Sequence, residues 1–370
     1  MKTSGEKILV RGVNWLGDAV MTTPALQRLR EAKPEAQITL LTHEKLAALW
    51  QSHPAVNSVL PFKTGESAWQ IGRKLRLEKF DLGLALPNSH RSALELFFGG
   101  IPNRIGYARP FRNLFLTKNI SQREGAVPMR KRSLSEINRL NQNPFTETPA
   151  KYPAAAHHIF QYLHLVAALG ANPEPLAPHL SVAENAVTSF RERMGDISSS
   201  HKFWLGLNPG AEYGPAKRWP AERFVAAAVQ LHQKTECGWI IFGAEDRETN
   251  RIAEELQMKI GRAAAVNLAG KTTLGELCAG LKFCQLVLTN DTGPMHVAAA
   301  LGTPVVVPFG STSPELTGPG FGSVTSNVLL RGQAPCSPCF LRECPIDFRC
   351  MKSITVEEIV EACLRIFKKL

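Results

Sequence analysis

The sequence predicts an α/β protein with two doubly wound parallel-sheet domains, and three observations carry that expectation. Short apolar β-rich runs alternate with helical periodicity along both halves of the chain. The alternation breaks over 107–153 and over the proline-dense 172–178, then begins again. Within the second half, LVLTNDTGPMHVAAALGTPVVVPFG (286–310) reads as a complete strand, turn, helix, turn and strand.

In the first half, strands are predicted over 8–10, 38–41, 56–60 and 82–86. Helices are predicted over 22–32, 45–51, 68–77 and 92–98, and 12–17 is a glycine-bounded loop. Residues 107–153 are rich in Asn, Arg, Pro and Ser and read as a long loop region. A helix over 157–169 ends at Gly170. In the second half, helices are predicted over 184–194, 221–233, 252–258 and 297–301, with strands over 203–207, 239–242, 286–289 and 305–309. Thr273–Glu276 and Thr355–Glu358 have capping-box form, and the second opens an amphipathic helix over 359–367. The domains expected are 1–178 and 179–354. A C-terminal helix, 355–370, is expected to pack back toward the N-terminal domain. Open parallel sheets bind ligands at the carboxyl ends of their strands, so a cleft between facing strand ends is the expected site.

At 370 residues, with 44% hydrophobic and 20% charged residues, the chain fits a soluble globular enzyme. Lys2 and Lys7 precede an apolar run too short for a signal peptide. The uncharged stretch 292–314 has the length of a membrane span, but its four prolines favour a buried βαβ segment. A cytoplasmic protein without transmembrane segments is expected. The net charge of +11 divides into +10 for residues 1–180 and +1 for the rest. A basic half implies an anionic partner. No nucleic-acid motif accompanies it, so nucleic acid is a weaker choice than a membrane face or a phosphorylated or carboxylated substrate. The densest run, Arg130-Lys131-Arg132, reads equally as a solvated cluster or a binding element.

Without a signal peptide the eight cysteines are not expected to form a disulfide framework. Cys237, Cys278, Cys284 and Cys363 lie in periodic apolar segments and should be core. Cys336, Cys339, Cys344 and Cys350 have a spacing that could hold zinc or an iron–sulfur cluster. It lacks the paired C-x-x-C form, and the cluster is read as a reduced surface loop, structural or incidental rather than catalytic.

Several turns carry candidate chemistry. Gly12-Val13-Asn14-Trp15-Leu16-Gly17-Asp18 follows the first strand without a dinucleotide fingerprint. Asp18 could be a helix cap or a general base, and the motif alone favours the cap. Asn208-Pro209-Gly210, followed by Lys217-Arg218, suits a diphosphate, or is a solvated basic turn. Gly243 and Glu245 end a strand where a nucleoside could lie. Asp291, Thr292, Gly293 and His296 sit at a helix N-terminus that suits a diphosphate. The chain contains no Asp-x-Asp, which argues against a metal-chelating acidic pair.

Together GDAVMTTPAL (17–26), GAEYGPAKRWP (210–220), FGAEDRE (242–248) and NDTGPMHVAAALGTPVVVPFG (290–310) resemble the bacterial ADP-heptose:lipopolysaccharide heptosyltransferases. The tail CSPCFLRECP (336–345) is most similar to the heptosyltransferase II branch. The resemblance implies a GT-B fold, with two Rossmann-like domains facing a central cleft. It implies an acceptor-binding N-terminal domain and an ADP-heptose-binding C-terminal domain. It also implies inverting transfer of L-glycero-D-manno-heptose onto the first heptose of the lipopolysaccharide inner core, with no cofactor or metal required. On it Asp18 becomes the catalytic base and Lys217 the diphosphate-binding lysine. The donor residues expected are Asn208, Gly210, Lys217, Arg218, Gly243, Glu245, Asp291, Thr292, Gly293 and His296. The acceptor residues expected are Asn14, Gly17, Arg130, Lys131 and Arg132, facing an anionic core at the inner face of the inner membrane. Heptosyltransferase I or another acceptor, an epimerase or hydrolase on the same fold, and a non-catalytic glycolipid-binding protein are the alternatives.

Overall fold

The computed structural model describes residues 5–142, 151–322 and 326–369. Contacts divide the chain into two compact units, one of residues 1–126 and 158–181, the other of 127–157 and 182–370.

The first unit opens with β1 (Lys7–Arg11), α1 (Leu16–Met21), α2 (Thr23–Ala32), β2 (Gln37–His43), β3 (Ser58–Phe62) and α3 (Ala68–Glu78). It continues with β4 (Leu82–Ala85), α4 (His90–Phe98), β5 (Asn103–Tyr107) and β6 (Lys118–Ile120). Helix α5 (Leu134–Gln142) belongs to the second unit, and α6 (Ile159–Ala167) returns to the first. The strands form one sheet in the order β3-β2-β1-β4-β5-β6, with every pairing parallel. Leu9, Leu41, Ala85, Ile71, Leu75 and Leu96 pack one core between sheet and helices. A Ser67–Gln70 capping box starts α3.

The second unit runs α7 (Glu184–Met194), β7 (Trp204–Asn208), α8 (Ala221–Thr235), β8 (Gly238–Ile241), α9 (Arg247–Ile260), β9 (Ala265–Asn267) and α10 (Leu274–Phe283). There follow β10 (Leu286–Thr289), α11 (Gly293–Ala300), β11 (Val305–Phe309), α12 (Pro314–Thr317), β12 (Val328–Arg331), α13 (Arg349–Lys352) and α14 (Val356–Phe367). Its sheet order is β12-β11-β10-β7-β8-β9, again all parallel. Counted from each unit's first strand, both sheets have the doubly wound order 3-2-1-4-5-6. The winding reverses between β1 and β4 in one unit and between β7 and β10 in the other.

Several expectations need correction. Helix α1 begins at Leu16, so Gly17 and Asp18 are helical rather than loop residues. The segment 45–51 is 3-10 helix, and α11 starts at Gly293, with Pro294 in its first turn. Strands β5, β6, β9 and β12 were not anticipated. They are short or carry polar residues, so their alternation is weak. The presumed long loop holds β6 and α5 in its described part. Residues 143–150 of it, and Lys2, lie outside the described residues.

Residues 127–157 contact the second unit, because Ile137 and Leu140 of α5 enter its core. This shifts charge with them. The first unit carries 18 Lys and Arg against 11 Asp and Glu, and the second 25 against 21, so the basic asymmetry of the halves largely disappears. The C-terminal helix is corrected too. Ile359, Val360, Ala362, Cys363 and Ile366 of α14 are buried in the core of the second unit, where the helix packs on α8. Its entry is fixed by Trp219 Nε1 and Arg223 Nη1, which both donate to the Ile354 carbonyl, at 3.0 and 2.5 Å. The expected capping boxes of α10 and α14 are present.

Truncating a fully buried aliphatic side chain costs about 2–5 kcal/mol in lost transfer energy and residual cavity. Ile359→Ala should therefore lower the unfolding free energy by about that much in urea titrations. A loss below about 1 kcal/mol would mean that α14 is not docked as described.

Candidate active site

The polar loops gather where the winding reverses. In the first unit, Arg11 at the end of β1 is buried against Glu95 of α4, with Nε and Oε2 2.7 Å apart. Arg91 holds the other Glu95 oxygen at 2.9 Å. Arg11 Nη1 also donates to the Gly12 carbonyl and to Asn14 Oδ1 at 2.8 Å. A buried charge is tolerated only when paired and hydrogen-bonded, so this network fixes the loop that carries Asn14. Asp18 follows in the first turn of α1. That helix has Trp15 as its N-cap and no side-chain cap bond, so the cap reading of Asp18 does not hold.

Its carboxylate instead meets α6. Tyr162 donates to Asp18 Oδ1 at 3.3 Å, and His158 Nε2 lies 3.7 Å from the same oxygen. The tyrosine hydroxyl and the imidazole are 3.1 Å apart. Burial holds the His158 imidazole below its ordinary pKa, against the pull of Asp18. Burial and then Asp18 raise the Tyr162 phenol well above its own. Both groups are therefore neutral near pH 7, while the Asp18 side chain remains one-third exposed. One carboxylate oxygen is thus tethered to α6.

In the second unit, the loops after β7 and β10 are locked together. Asn208 Nδ2 donates to Thr289 Oγ1 at 3.1 Å. Asn290 donates to the Pro209 carbonyl at 2.6 Å and accepts from the Trp219 amide at 2.9 Å. Lys217 Nζ lies 2.7 Å from Asp291 Oδ2, which also accepts the Thr312 hydroxyl at 2.6 Å. Lys217 and Arg342 both lie over the ring of Tyr213. Thr292 begins α11 without a side-chain cap bond, so its first turn offers N–H groups to an anion. His296 is buried on α11, and burial holds its imidazole down at about 4. Arg218 pairs with Glu248, while its Nε is buried without a partner. Gly243 has φ 138°, a region that favours glycine, and faces Asn208 Oδ1. A Cβ at Gly210 would meet nothing nearer than the Asp246 and Thr249 side-chain oxygens at 3.9 Å. Glu245 is exposed.

The basic run is not uniform. Arg130 and Arg132 share Glu136, at 2.9 and 3.1 Å, and Arg132 also donates to the Pro338 carbonyl. All three residues of the run belong to the second unit, not to the N-terminal half. Sequence reasoning missed Arg11, Glu95, His158, Tyr162, Tyr213 and Thr312. Only Thr312 had a local signal, because Gly310-Ser311-Thr312-Ser313 follows β11 at its carboxyl end. Asn88, just after β4, was missed as well, and its Oδ1 is buried without a partner. Cys237, Cys278, Cys284 and Cys363 are core, as expected. Cys336, Cys339 and Cys350 are also buried, which corrects the reading of a surface loop. Among the described residues no three His, Cys, Asp or Glu side chains stand ready to ligate one metal ion. None of the described helices is long and apolar enough to cross a membrane.

Two doubly wound units, each with ligand-type loops at its switch point, define the GT-B class of α/β protein. Residues 68–348 match the model of glycosyltransferase family 9 (heptosyltransferase), and the chain belongs to that family. It is 33% identical over 324 residues to lipopolysaccharide heptosyltransferase 2 of Escherichia coli K12, covering 85% of each chain. It is 27% identical to lipooligosaccharide heptosyltransferase 2 of Campylobacter jejuni serotype O:2, covering 98% of each. The solved structure of E. coli ADP-heptose lps heptosyltransferase II superposes with TM-score 0.77 at 28% identity, over 98% of this chain and 99% of that one.

The His296 imidazole generates a pH prediction. Its unfolded pKa is near 6.5 and its folded pKa about 4. Between those values the unfolded chain binds more protons, so stability is lost as pH falls from 6.5 toward 4. The imidazole should account for about 2 kcal/mol of the difference between pH 7 and pH 5. His53, also held at about 4 by burial, adds a parallel slope. In urea titrations, His296→Asn should shrink the pH 7 to pH 5 difference. An unchanged difference would mean that His296 titrates normally.

Proposed function

We propose that this chain is a heptosyltransferase II, moving L-glycero-D-manno-heptose from ADP-heptose to the first heptose of the lipopolysaccharide inner core with inversion. The observation that carries this reading is the similarity to relatives named heptosyltransferase 2 across four genera. Their identity is 27–33%, against 24% to a heptosyltransferase 1 and 22% to a heptosyltransferase 3. The first unit would bind the acceptor through Asn14 and Gly17. The second would bind the donor through Asn208, Gly210, Lys217, Arg218, Gly243, Glu245, Asp291, Thr292, Gly293 and His296. The enzyme would work in the cytoplasm, against the inner face of the inner membrane.

In this reading Asp18 takes the proton of the acceptor hydroxyl as that oxygen attacks the anomeric carbon. The bond to the ADP oxygen breaks on the opposite face, which inverts the centre. Tyr162 and His158 hold one Asp18 oxygen so that the other receives the proton. Lys217 turns from Asp291 to the leaving diphosphate, and the first turn of α11 adds N–H donors. A neutral His296 adds no charge to compete with Lys217. Cations and a helix end do the work of a metal here, so the chemical step needs none.

Asp18→Asn should keep the fold and ADP-heptose binding while lowering transfer by about 10²–10⁴-fold, as read from acceptor-dependent ADP release. Near-normal turnover would remove Asp18 as the base. Release of ADP by the wild-type chain without acceptor would favour a hydrolase, and no release with acceptor a binding protein.

Lys217→Ala should raise the KM for ADP-heptose and lower kcat, because the cation serves bound donor and leaving group alike. Unchanged kinetics would take Lys217 out of the diphosphate site. Brief EDTA treatment should leave the wild-type rate intact. Loss of activity restored by Mg²⁺ would overturn the metal-free step.

A further inference from the structure

The proposed reaction uses none of the cysteines of residues 336–350, yet the fold brings them together. Cys336, Cys339, Cys344 and Cys350 all line one small cavity of about 10 Å³ in the second unit. That is room for a single atom-sized guest. Ile137, Pro345 and Ile346 complete much of its wall. Ser311 lines the same cavity, is 1% exposed, and its Oγ has no hydrogen-bond partner. A buried hydroxyl without a partner costs about 1–3 kcal/mol, so it is an independent sign of a polar or ionic guest.

One donor to sulfur is in place: the Phe348 amide donates to Cys344 Sγ at 3.2 Å. Such donors orient and stabilise metal-bound thiolates. Arg349 stands at the cavity wall, its guanidinium paired with Asp347.

We propose that Cys336, Cys339, Cys344 and Cys350 bind one zinc ion as a closed tetrathiolate site. As they stand the thiols do not form a ligand sphere. Zinc binding would have to re-aim the sulfurs by rotation about χ1, an adjustment its binding free energy can drive. Each thiol releases its proton to solvent as its sulfur binds. Soft thiolates select zinc over magnesium or calcium. Four protein ligands leave no open position, so the ion is structural. It pins a segment that also holds the donor-side turn. Phe340 donates to the Ser311 carbonyl at 2.7 Å, Tyr213 to the Phe340 carbonyl at 2.8 Å, and Ala216 to the Arg342 carbonyl at 2.9 Å.

The test is the metal content of the untagged full chain, purified under reducing conditions without chelator. About one zinc per chain is expected. Cobalt(II) added to metal-stripped, refolded chain should give the charge-transfer and d–d bands of a tetrathiolate site at one equivalent. Cys344→Ser, at the least buried of the four positions, should weaken those bands and lower the melting temperature of the zinc-loaded protein while the chain stays folded. A folded, reduced wild-type chain with neither metal nor cobalt bands would overturn the proposal. So would a disulfide among the four cysteines, iron in place of zinc, or bands unaltered in Cys344→Ser.

Discussion

A parallel sheet that reverses its winding direction must send two neighbouring connections to opposite faces, and the space between them is open to solvent and substrate. Both units of this chain obey that constraint with the same strand order, and both place their polar loops at the reversal. The strands beneath are nearly continuous apolar runs, buried on both sides. They cannot carry chemistry themselves. They can hold loop ends rigidly, which lets short turns of Gly, Asn, Asp and Thr act with defined geometry.

The loops are then tied by polar contacts buried just below them. Arg11 and Glu95 do this in the first unit, and Asn208, Thr289 and Asn290 in the second. The Lys217–Asp291 pair differs in kind. Asp291 is 4% exposed and has the Thr312 hydroxyl as a second donor. The carboxylate would therefore keep a hydrogen-bond partner if the lysine turned away as proposed. That lowers the cost of separating a largely buried ion pair, which is otherwise several kcal/mol. The ion pair is suited to a cation that must change partners without unfolding its site.

How much of this was legible depended on sequence distance. The strands β1, β4, β7, β10 and β11 are apolar and bounded by Gly, Pro or Asn, so periodicity located them. The turns at Asn290–Gly293 and Asn208–Gly210 announced themselves by composition. The helix beginning at Leu16 did not, because Trp15 gives no capping signal and Gly17 reads as loop. The tether on Asp18 was out of reach for another reason. Tyr162 lies 144 positions away, on a helix whose apolar face looks like any other. Local pattern marks where a turn is, and only tertiary pairing says which distant side chain reaches it. The assignment of 127–157 failed on the same ground, since nothing in a polar stretch reveals which core Ile137 and Leu140 will enter.

That discontinuity has a consequence for how the protein is made. Ribosomal synthesis delivers α5 long before its partners. The amide of Arg132 donates to the Cys339 carbonyl, and Asn141 accepts from Arg349. Some two hundred residues must emerge before these contacts can close. The first unit is also incomplete until α6 follows, so neither unit is finished in simple chain order. Chimaeras that exchange donor-side halves between family members should carry 127–157 with the C-terminal portion. A cut at residue 178 would leave α5 on the wrong fragment, separated from the core it completes.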